Sequence, residues 1–375
     1  MIKTIGEVCR IIGGGTPSKK KPEYYEGDIP WASVRDMNVR VIRDTEYKIT
    51  ETAVAESATN IIPKGEVVIS THVGLGKVCV LGQDTAINQD LKAVIPVGDL
   101  SRWYLYYWFL SKADLLVANG KGATVKGVTV DFVKRLKINI PSLERQAEIV
   151  AALDAAQELI DNSESQLAKL DQLVKSRFVE MFGDGGNWQP CAMGDMCELV
   201  TDGEHATPRR VDHGTYLLSA RNVHDHQIVL DEVDYIDEEE YNRIARRIVP
   251  RAGDLLLSCS GSVGRCCMVP EGLRFQLVRS VALLRLKEGV LPKFAEYLLC
   301  SSLLQRQIDK LKTASSQANL FQGKIKKLVG FVPPLALQCE FVAFVAEVDK
   351  SEFTVRKRLE KARQLYRAKL QEYFG

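Results

Sequence analysis

The stretch PSLERQAEIVAALDAAQELIDNSESQLAKLDQLVKSRFVEMFG, residues 141–183, has a diverged second copy in this chain at residues 333–375, at an offset of 192. Thirteen of its 43 positions are identical in the second copy, where average amino-acid usage would give about three. The copies are therefore homologous, and the chain is a fused repeat. A duplicated chain tends to fold with an internal two-fold axis, so its natural ligand also has two parts.

The repeated stretch has the heptad pattern of a coiled coil. Apolar side chains recur every seven residues, from Leu153 to Met181, and the second copy carries a matching stripe. A helix from Ser142 to Phe182 would be about 60 Å long, which is too long for one small domain to cover. Antiparallel pairing within the chain is the simplest way to bury both stripes. The positions expected on this seam are Leu153, Ile160, Leu167, Leu170, Val174, Val348, Val355 and Leu359.

Composition limits what the chain can be. Its 375 residues, 46% apolar and 26% charged, suit two globular domains and connecting helices. The longest dense apolar run, Trp103–Leu110, is far shorter than the roughly 20 residues of a membrane span, and residues 1–7 lack the apolar region of a secretory signal. We therefore expect no membrane segment and a cytoplasmic, reducing location in which the nine cysteines are buried thiols. A net charge of +2 argues against indiscriminate polyanion binding, although it can hide a local basic face.

A segment of short strands precedes each copy of the helix. In residues 1–140 the apolar runs Ile29–Trp31, Glu66–Ser70 and Lys77–Leu81 are bounded by glycine and proline and predict strands of a mixed or antiparallel sheet. An aromatic helix is predicted at Arg102–Leu116, with its aromatic side chains in the core. Residues 184–332 repeat this order with small shifts in spacing.

The predicted fold class is α+β, with two similar mixed-sheet domains related by pseudo-two-fold symmetry. We call them the first head, residues 1–140, and the second head, residues 184–332. Two long helices, at 141–183 and 333–375, separate the heads and pack as an antiparallel coiled coil.

Each head contains a glycine-rich loop that ends in a basic residue. Ser70–Lys77 follows a strand in the first head, and Ser258–Arg265 is its counterpart. Glycines let a backbone approach a phosphate, hydroxyl groups donate hydrogen bonds to it, and a terminal Lys or Arg supplies charge. A glycine-tightened β-turn has the same pattern, so both interpretations stay open. The candidate ligand-binding residues are Ser70, Gly74, Lys77, Ser258, Ser260 and Arg265.

The opening loop of each head has Thr-Pro followed by a basic cluster, and a second pair of corresponding loops carries arginine. Lys and Arg can contact phosphates, and Arg also offers the two donors that specify guanine. A solvated surface loop is the alternative for any single lysine. The candidates in these loops are Thr16, Ser18, Lys19, Lys20, Lys21 and Arg35 in the first head, and Thr207, Arg209, Arg210, Arg221 and Asn222 in the second. Arg279, farther along the second head, is a further candidate.

Catalytic and metal-binding patterns are missing from the sequence. It contains no phosphate-binding loop of nucleotide hydrolases, no dinucleotide fingerprint, no nucleophile elbow and no Asn-Pro-Pro-Tyr-type motif of amino-group methyltransferases. His224-Asp225-His226 resembles a metal pair, but the first head has no counterpart and no cysteine pair has zinc spacing. We expect neither a catalytic centre nor a metal site.

Several segments together resemble the specificity subunit of type I restriction-modification systems. They are Ile5–Cys9, Gly14–Ser18, Gly27–Trp31, and Ile140–Gln146 followed by a long helix that ends in Glu180–Gly183. The resemblance covers essentially the whole chain. The second head departs from the pattern, because Gly203–Pro208 replaces the triple-glycine loop and Leu217-Leu218 stands where Pro30-Trp31 does.

The resemblance implies a non-enzymatic subunit that binds double-stranded DNA of bipartite sequence. Each head would be a target-recognition domain for one half-site, and the helices would set the spacer and dock two modification subunits. Adenine methylation with S-adenosylmethionine, and restriction with ATP and magnesium, would belong to the modification and restriction subunits, so this chain would hold no cofactor. We expect half-sites about one DNA turn apart, roughly 34 Å. The alternatives are a coiled-coil adapter with two protein-binding heads, and a self-contained DNA enzyme that the missing motifs disfavour.

Overall fold

A computed structural model of the chain describes residues 1–122, 127–311 and 319–375. Its residues form two units, of which unit 1 comprises Met1–Glu164 with Lys357–Gly375 and unit 2 comprises Ser165–Arg356. The first head therefore lies in unit 1 and the second head in unit 2, and each unit also contains part of both long helices.

Unit 1 is built on two small sheets. Its strands are β1 Ile2–Thr4, β2 Cys9–Gly13, β3 Ile29–Ala32, β4 Val41–Ile42, β5 Tyr47–Ile49, β6 Asn60–Ile62, β7 Val67–Ser70, β8 Val78–Leu81, β9 Thr85–Ile87, β10 Leu91–Pro96 and β11 Lys137–Asn139. The order β2-β10-β7-β8-β4 forms one sheet, β5-β3-β9-β6 forms the other, and β1 pairs with β11. Most pairs are antiparallel, but β3 and β9 are parallel, so the predicted mixed sheet is confirmed.

Most helices of unit 1 lie on one face of the larger sheet, whereas the helix that contains Ala53 packs against the smaller sheet. The helices of this unit are α1 Ile5–Val8, α2 Glu51–Ala55, α3 Arg102–Ser111, α4 Ala113–Ala118, α5 Val130–Arg135 and the first part of α6 Leu143–Phe182. Alternate residues of a strand face opposite sides, and accordingly Val67 and Ile69 pack against the aromatic residues of α3, while Val68 packs between the two sheets. The aromatic residues of α3 from Tyr104 to Phe109 are buried, as the sequence predicts.

Unit 2 repeats this plan. Its strands are β12 Pro190–Ala192, β13 Cys197–Asp202, β14 Thr215–Leu218, β15 Val223–His224, β16 Gln227–Ile228, β17 Asp234–Ile236, β18 Leu255–Ser258, β19 Cys266–Met268, β20 Phe275–Leu277, β21 Val281–Leu286 and β22 Val329–Phe331. Its helices are α7 Met193–Met196, α8 Glu238–Ala245, α9 Pro292–Cys300, α10 Ser302–Leu311, α11 Gln322–Ile325 and part of α12 Leu335–Phe374.

Strand order identifies the corresponding elements of the two units. The sheet β13-β21-β18-β19 has the order of β2-β10-β7-β8, and β17-β14-β20 has the order of β5-β3-β9. The pair β14 and β20 is parallel, like β3 and β9. The two heads thus share the order of seven strands, and β4 and β6 extend the two sheets in the first head. The predicted α+β fold with two similar mixed-sheet domains is confirmed.

The long helices contribute apolar side chains to both units. In unit 1, Arg145 lies 5.8 Å from the ring of Tyr373 and Arg363 pairs with Glu164 at 2.7 Å, so the first part of α6 and the end of α12 are antiparallel. In unit 2, Arg177 pairs with Glu340 at 2.8 Å. Among the predicted seam residues, Leu167 and Leu170 are half-buried, and the others are buried: Leu153, Ile160, Val174, Val348, Val355 and Leu359.

A fully buried glutamine fastens each long helix to its head. The Gln146 side chain accepts a hydrogen bond from Ser101 N at 2.8 Å and donates to the carbonyl oxygens of Asp99 and Pro141 at 2.8 and 3.0 Å. Gln338 makes the corresponding bonds, accepting from Leu291 N at 2.8 Å and donating to two carbonyl oxygens at 3.0 and 2.9 Å. These bonds explain why the glutamine is identical in both copies.

Three further findings concern expectations from the sequence. The predicted helix Arg102–Leu116 is wrong as one element, because Lys112 leaves the helical conformation and separates α3 from α4. The expectation of buried thiols holds for six cysteines, Cys191 and Cys300 are half-buried, and it is wrong for Cys339, which lies on an exposed face of α12. None of the helices in the described ranges combines the length and apolar character of a transmembrane span.

Candidate nucleic-acid interface

Parallel strands place the polar loops of the first head at one edge. Because β3 and β9 run in the same direction, the residues that follow them leave the sheet side by side, and Asn88 N donates to Ala32 O at 3.0 Å. The opening loop joins this edge through Gly15, whose N–H donates to Ile87 O at 3.0 Å. A Cβ on Gly15 would lie 2.5 Å from backbone, so only glycine permits this approach. Three separate loops therefore meet at one place.

The meeting point of these loops is a polar and aromatic cavity of about 530 Å³. Among the predicted residues, Thr16, Lys19 and Arg35 line it. Trp31 forms one wall and is itself buried, with Nε1 donating to Gly15 O at 3.1 Å. The cavity thus combines cationic, hydroxyl and aromatic groups, which can contact phosphate and base edges.

The cationic side chains at this edge differ in whether a neighbouring carboxylate pairs with them. Lys19 and Lys20 are exposed, and their ammonium groups have no hydrogen bond or ion pair within the described ranges of the chain. Lys21 pairs with Glu56 at 2.8 Å, and hydrogen bonding to that carboxylate raises the pKa of the lysine. Arg35 pairs with Glu46 at 3.1 Å, and this hydrogen bond raises its pKa. Lys19 and Lys20 are therefore the cations most available to a polyanion, and Ser18 beside them is exposed.

The loop after β7 is a turn closed by its own serine. Ser70 is fully buried, and its hydroxyl donates to Val73 O. Gly74 has φ +71, and a Cβ there would lie 2.7 Å from Val34 Cγ1. Lys77 Nζ donates to Asn38 Oδ1 at 2.7 Å. The serine thus shapes the loop from inside, while Lys77 is held against the loop that carries Arg35.

In the second head the opening loop and the residues after β20 also meet at a cavity, of about 350 Å³, whose other walls come from the loop after β18 and from residues 319–322. The predicted residues Ser260 and Arg279 line it, together with Asp202 and His205. Arg279 N donates to Glu204 O at 3.0 Å, which fixes the backbone of this loop against the opening loop. The Arg279 guanidinium is exposed and has no partner among the residues described here.

The other predicted arginines of the second head are held in ion pairs. Arg209 pairs with Asp237 at 2.6 Å and Glu239 at 3.0 Å. Arg210 and Arg221 share Asp234, at 2.9 and 2.7 Å. Burial alone would raise the pKa of Asp234, but hydrogen bonds and charge from the two arginines outweigh it and lower the pKa. These arginines are exposed, yet their charge is largely balanced by neighbouring carboxylates.

Asn222 and Ser258 have structural contacts inside the second head. Asn222 is buried, and its Oδ1 accepts hydrogen bonds from Ser219 N and Oγ at 2.9 and 3.1 Å. Ser258 is fully buried and accepts from Arg265 N at 2.9 Å. Arg265 itself is half-buried, and Thr207 is exposed beside the opening loop.

Sequence reasoning missed several polar residues at these edges. Gln89 lines the first cavity beside Thr16, and its exposed side chain accepts a hydrogen bond from the Thr16 hydroxyl. A second hollow of about 380 Å³ is lined by His72, Lys92 and Lys121, and burial lowers the pKa of Lys92. Asn88-Gln89-Asp90 is a polar break between two apolar runs, which the sequence does show. That this break lies at the cavity follows only from the parallel pairing of β3 with β9.

His226 lies in a different environment from a metal ligand. Its ring stacks on Tyr297 with centroids 4.1 Å apart, and its Nδ1 is 3.6 Å from Glu296 Oε1. Within residues 1–122, 127–311 and 319–375, no group of three or more His, Cys, Asp or Glu side chains could hold a metal ion.

Known proteins are similar to this chain in sequence and in fold. Residues 1–172 match the family model described as type I restriction modification DNA specificity domain. The match covers somewhat less than half of the 375 residues.

Two curated relatives are specificity subunits of type I restriction enzymes. The MjaIX subunit of Methanocaldococcus jannaschii is 34% identical over 188 residues, which are 49% of this chain and 44% of the relative. The EcoR124I/EcoR124II subunit of Escherichia coli is 34% identical over 183 residues, which are 47% of this chain and 45% of the relative. The matched part of this chain thus spans less than half the length of each relative.

A solved structure has the same overall fold. The crystal structure of the type I restriction-modification system S subunit from M. genitalium superposes with a TM-score of 0.58 at 14% identity, covering 100% of this chain and 96% of that one. The predicted resemblance to type I specificity subunits is therefore confirmed by family model, relatives and fold.

Proposed function

We propose that this chain is the DNA-binding specificity subunit of a type I restriction-modification complex. Each head contacts one half-site of a bipartite double-stranded DNA sequence, and the long helices set the spacer between the half-sites. Two modification subunits dock on the helices and methylate adenine with S-adenosylmethionine, and restriction subunits that use ATP and magnesium cleave unmodified DNA. The chain itself is non-catalytic and acts in the cytoplasm.

The observation that carries this proposal is the repeated edge. In both units the strand that runs parallel to its neighbour, β9 or β20, ends beside the opening loop, and the residues of that junction line a polar cavity. The two edges carry different side chains, with lysines exposed in one and an arginine in the other. Two similar surfaces with different polar groups suit two half-sites of different sequence.

Methylation mapping tests the proposal directly. The methylated adenines of the source cell are mapped with the gene for this chain intact and with it deleted. We expect an asymmetric two-part motif to be methylated only when the chain is present. A methylation pattern that does not change on deletion would contradict the proposal.

The spacer role has its own test. Seven residues inserted before Lys169 keep the heptad register and lengthen α6 by about 10 Å. We expect the methylated motif to keep both half-sites and to change its spacer. An insertion that changed the half-site bases and left the spacing alone would exclude the ruler role.

One observation favours the adapter alternative for the second head. Asp234, Asp237 and Glu239 neutralise three of its arginines, which lowers its attraction for phosphate. Salt dependence separates the two functions, because phosphate contacts release counterions. We expect binding of the full chain to duplex DNA to weaken steeply between 50 and 200 mM salt (on the order of 10³-fold or more for six or more phosphate contacts), and salt-independent binding would favour the adapter.

A further inference from the structure

One exposed position corresponds in the two heads and carries a different side chain in each. Gln89 is the second residue after β9, and Arg279 is the second residue after β20. The two strands are equivalent, since each runs parallel to its partner strand and ends beside the opening loop. Backbone bonds confirm the match, because Asn88 N donates to Ala32 O and Val278 N donates to Leu218 O, both at 3.0 Å.

Both side chains are exposed at the cavity of their head. Gln89 lines the cavity of the first head and Arg279 that of the second. Their backbones are fixed from two sides, by the strand before them and by a short hydrogen-bonded turn after them, in which Leu91 N donates to Asn88 O at 3.2 Å and Val281 N donates to Val278 O at 3.1 Å. A side chain that specifies a base must be carried on such a rigid backbone.

The Gln89 amide is oriented by a neighbour and keeps free hydrogen-bonding groups. Its Oε1 accepts from the Thr16 hydroxyl, which leaves one acceptor position on that oxygen. Its Nε2 has no acceptor in the described part of the chain. A glutamine amide with one donor and one acceptor free can bond adenine at N7 and N6 in the major groove.

Arg279 is set apart from the other candidate arginines of the second head. Arg209, Arg210 and Arg221 are paired with carboxylates at 2.6 to 3.0 Å. The Arg279 guanidinium makes no such bond inside residues 1–122, 127–311 and 319–375, so its parallel donors are available. Two parallel donors match the O6 and N7 acceptors of guanine.

We infer that Gln89 and Arg279 are equivalent base-specifying residues, with Gln89 selecting adenine in one half-site and Arg279 selecting guanine in the other. Thr16 is a positioning residue that orients the Gln89 amide. This inference rests on the proposed function, because it names two residues that would give the two similar heads different sequence preferences.

Exchange of the two side chains tests the inference in the cell. The chain is replaced by Gln89→Arg or by Arg279→Gln, and the methylated motif is mapped by sequencing. We expect Gln89→Arg to convert one adenine of its half-site to guanine, with a preference of roughly 5- to 150-fold, and to leave the other half-site unchanged. Arg279→Gln should do the reverse in the other half-site. Gln89→Ala should relax the preference at the same position and add no new one.

Gln83→Arg is the matched control. It adds the same charge to the first head but lies outside the cavity, where its amide donates to Arg43 O at 2.7 Å. We expect it to leave the motif unchanged. A motif that is unchanged in Gln89→Arg, a half-site lost altogether, or a motif altered equally by Gln83→Arg overturns the assignment while the proposed function stands. If the chain with its natural residues directs no two-part motif, the proposed function fails and this inference with it.

Discussion

Replacing Gln146 with methionine should destabilise unit 1 by removing three buried hydrogen bonds. The glutamine is fully buried, and its bonds to one backbone N–H and two carbonyl oxygens are 2.8 to 3.0 Å long. Methionine has nearly the same length and is apolar, so packing is kept while three backbone groups lose their partner. Each bond contributes about 1 kcal/mol net, and a buried group left unsatisfied costs about 1–3 kcal/mol. We expect Gln146→Met to lower the free energy of unfolding by about 3–5 kcal/mol.

Urea unfolding followed by tryptophan fluorescence measures this loss. Trp31, Trp103 and Trp108 lie in unit 1 and Trp188 lies in unit 2, so the signal reports mainly on unit 1. With a slope of about 2–3 kcal/mol per molar urea, the midpoint should fall by about 1–2 M.

The exposed residue Gln172 provides the control for this substitution. It is also identical in both copies of the helix, but Gln172→Met should change the free energy of unfolding by less than about 0.5 kcal/mol. If both substitutions had equal effects, or if Gln146→Met cost less than about 1 kcal/mol, the hydrogen bonds would not be what fastens the helix to the head.

Three further predictions follow from the contacts at the two edges and from the cysteines. Gly74→Ala should destabilise the loop after β7 by about 1–2 kcal/mol, because φ is +71 and the new Cβ would lie 2.7 Å from a valine methyl; thermal unfolding measures this. Asp234→Ala should leave Arg210 and Arg221 without their carboxylate partner. The affinity for duplex DNA should then fall more steeply with salt concentration, by up to about two phosphate contacts, and an unchanged slope would show that neither arginine faces DNA. Iodoacetamide at pH 8 should label the exposed Cys339 and spare Cys79, whose pKa burial raises to about 12, and mass spectrometry of the labelled peptides checks the order.

The repeat and the heptads were sufficient to predict the architecture. A 43-residue repeat implies two copies of one unit, and the apolar seven-residue spacing predicts the long helices whose observed bounds are Leu143–Phe182 and Leu335–Phe374. The strands β7 and β8 were predictable from apolar runs between glycine and proline, because each is buried on both faces, between the helices and the smaller sheet. The break at Lys112 was not predictable, since the helical pattern continues through it.

The candidate sites were only partly predictable because their geometry depends on strand direction. Lys19 and Arg35 are separated by 16 residues, and only the parallel pairing of β3 with β9 brings their loops to one cavity. The neutralisation of Arg210 and Arg221 was also invisible in the sequence, because Asp234 reaches them only through the pairing of β17 with β14. The binding roles of the candidate residues stay predictions.

A buried glutamine that bonds to backbone is identical in the two units, whereas an exposed position beside the cavities differs. Gln146 and Gln338 are identical because their partners are backbone groups, which are the same in both units whatever the sequence around them. Gln89 and Arg279 occupy one backbone position, but their side chains point to solvent and bind nothing that the fold requires beyond the hydroxyl of Thr16. A substitution at that position therefore costs little stability and changes the groups offered to a ligand. A duplicated chain of this kind can alter the preference of one head without disturbing the other or the long helices.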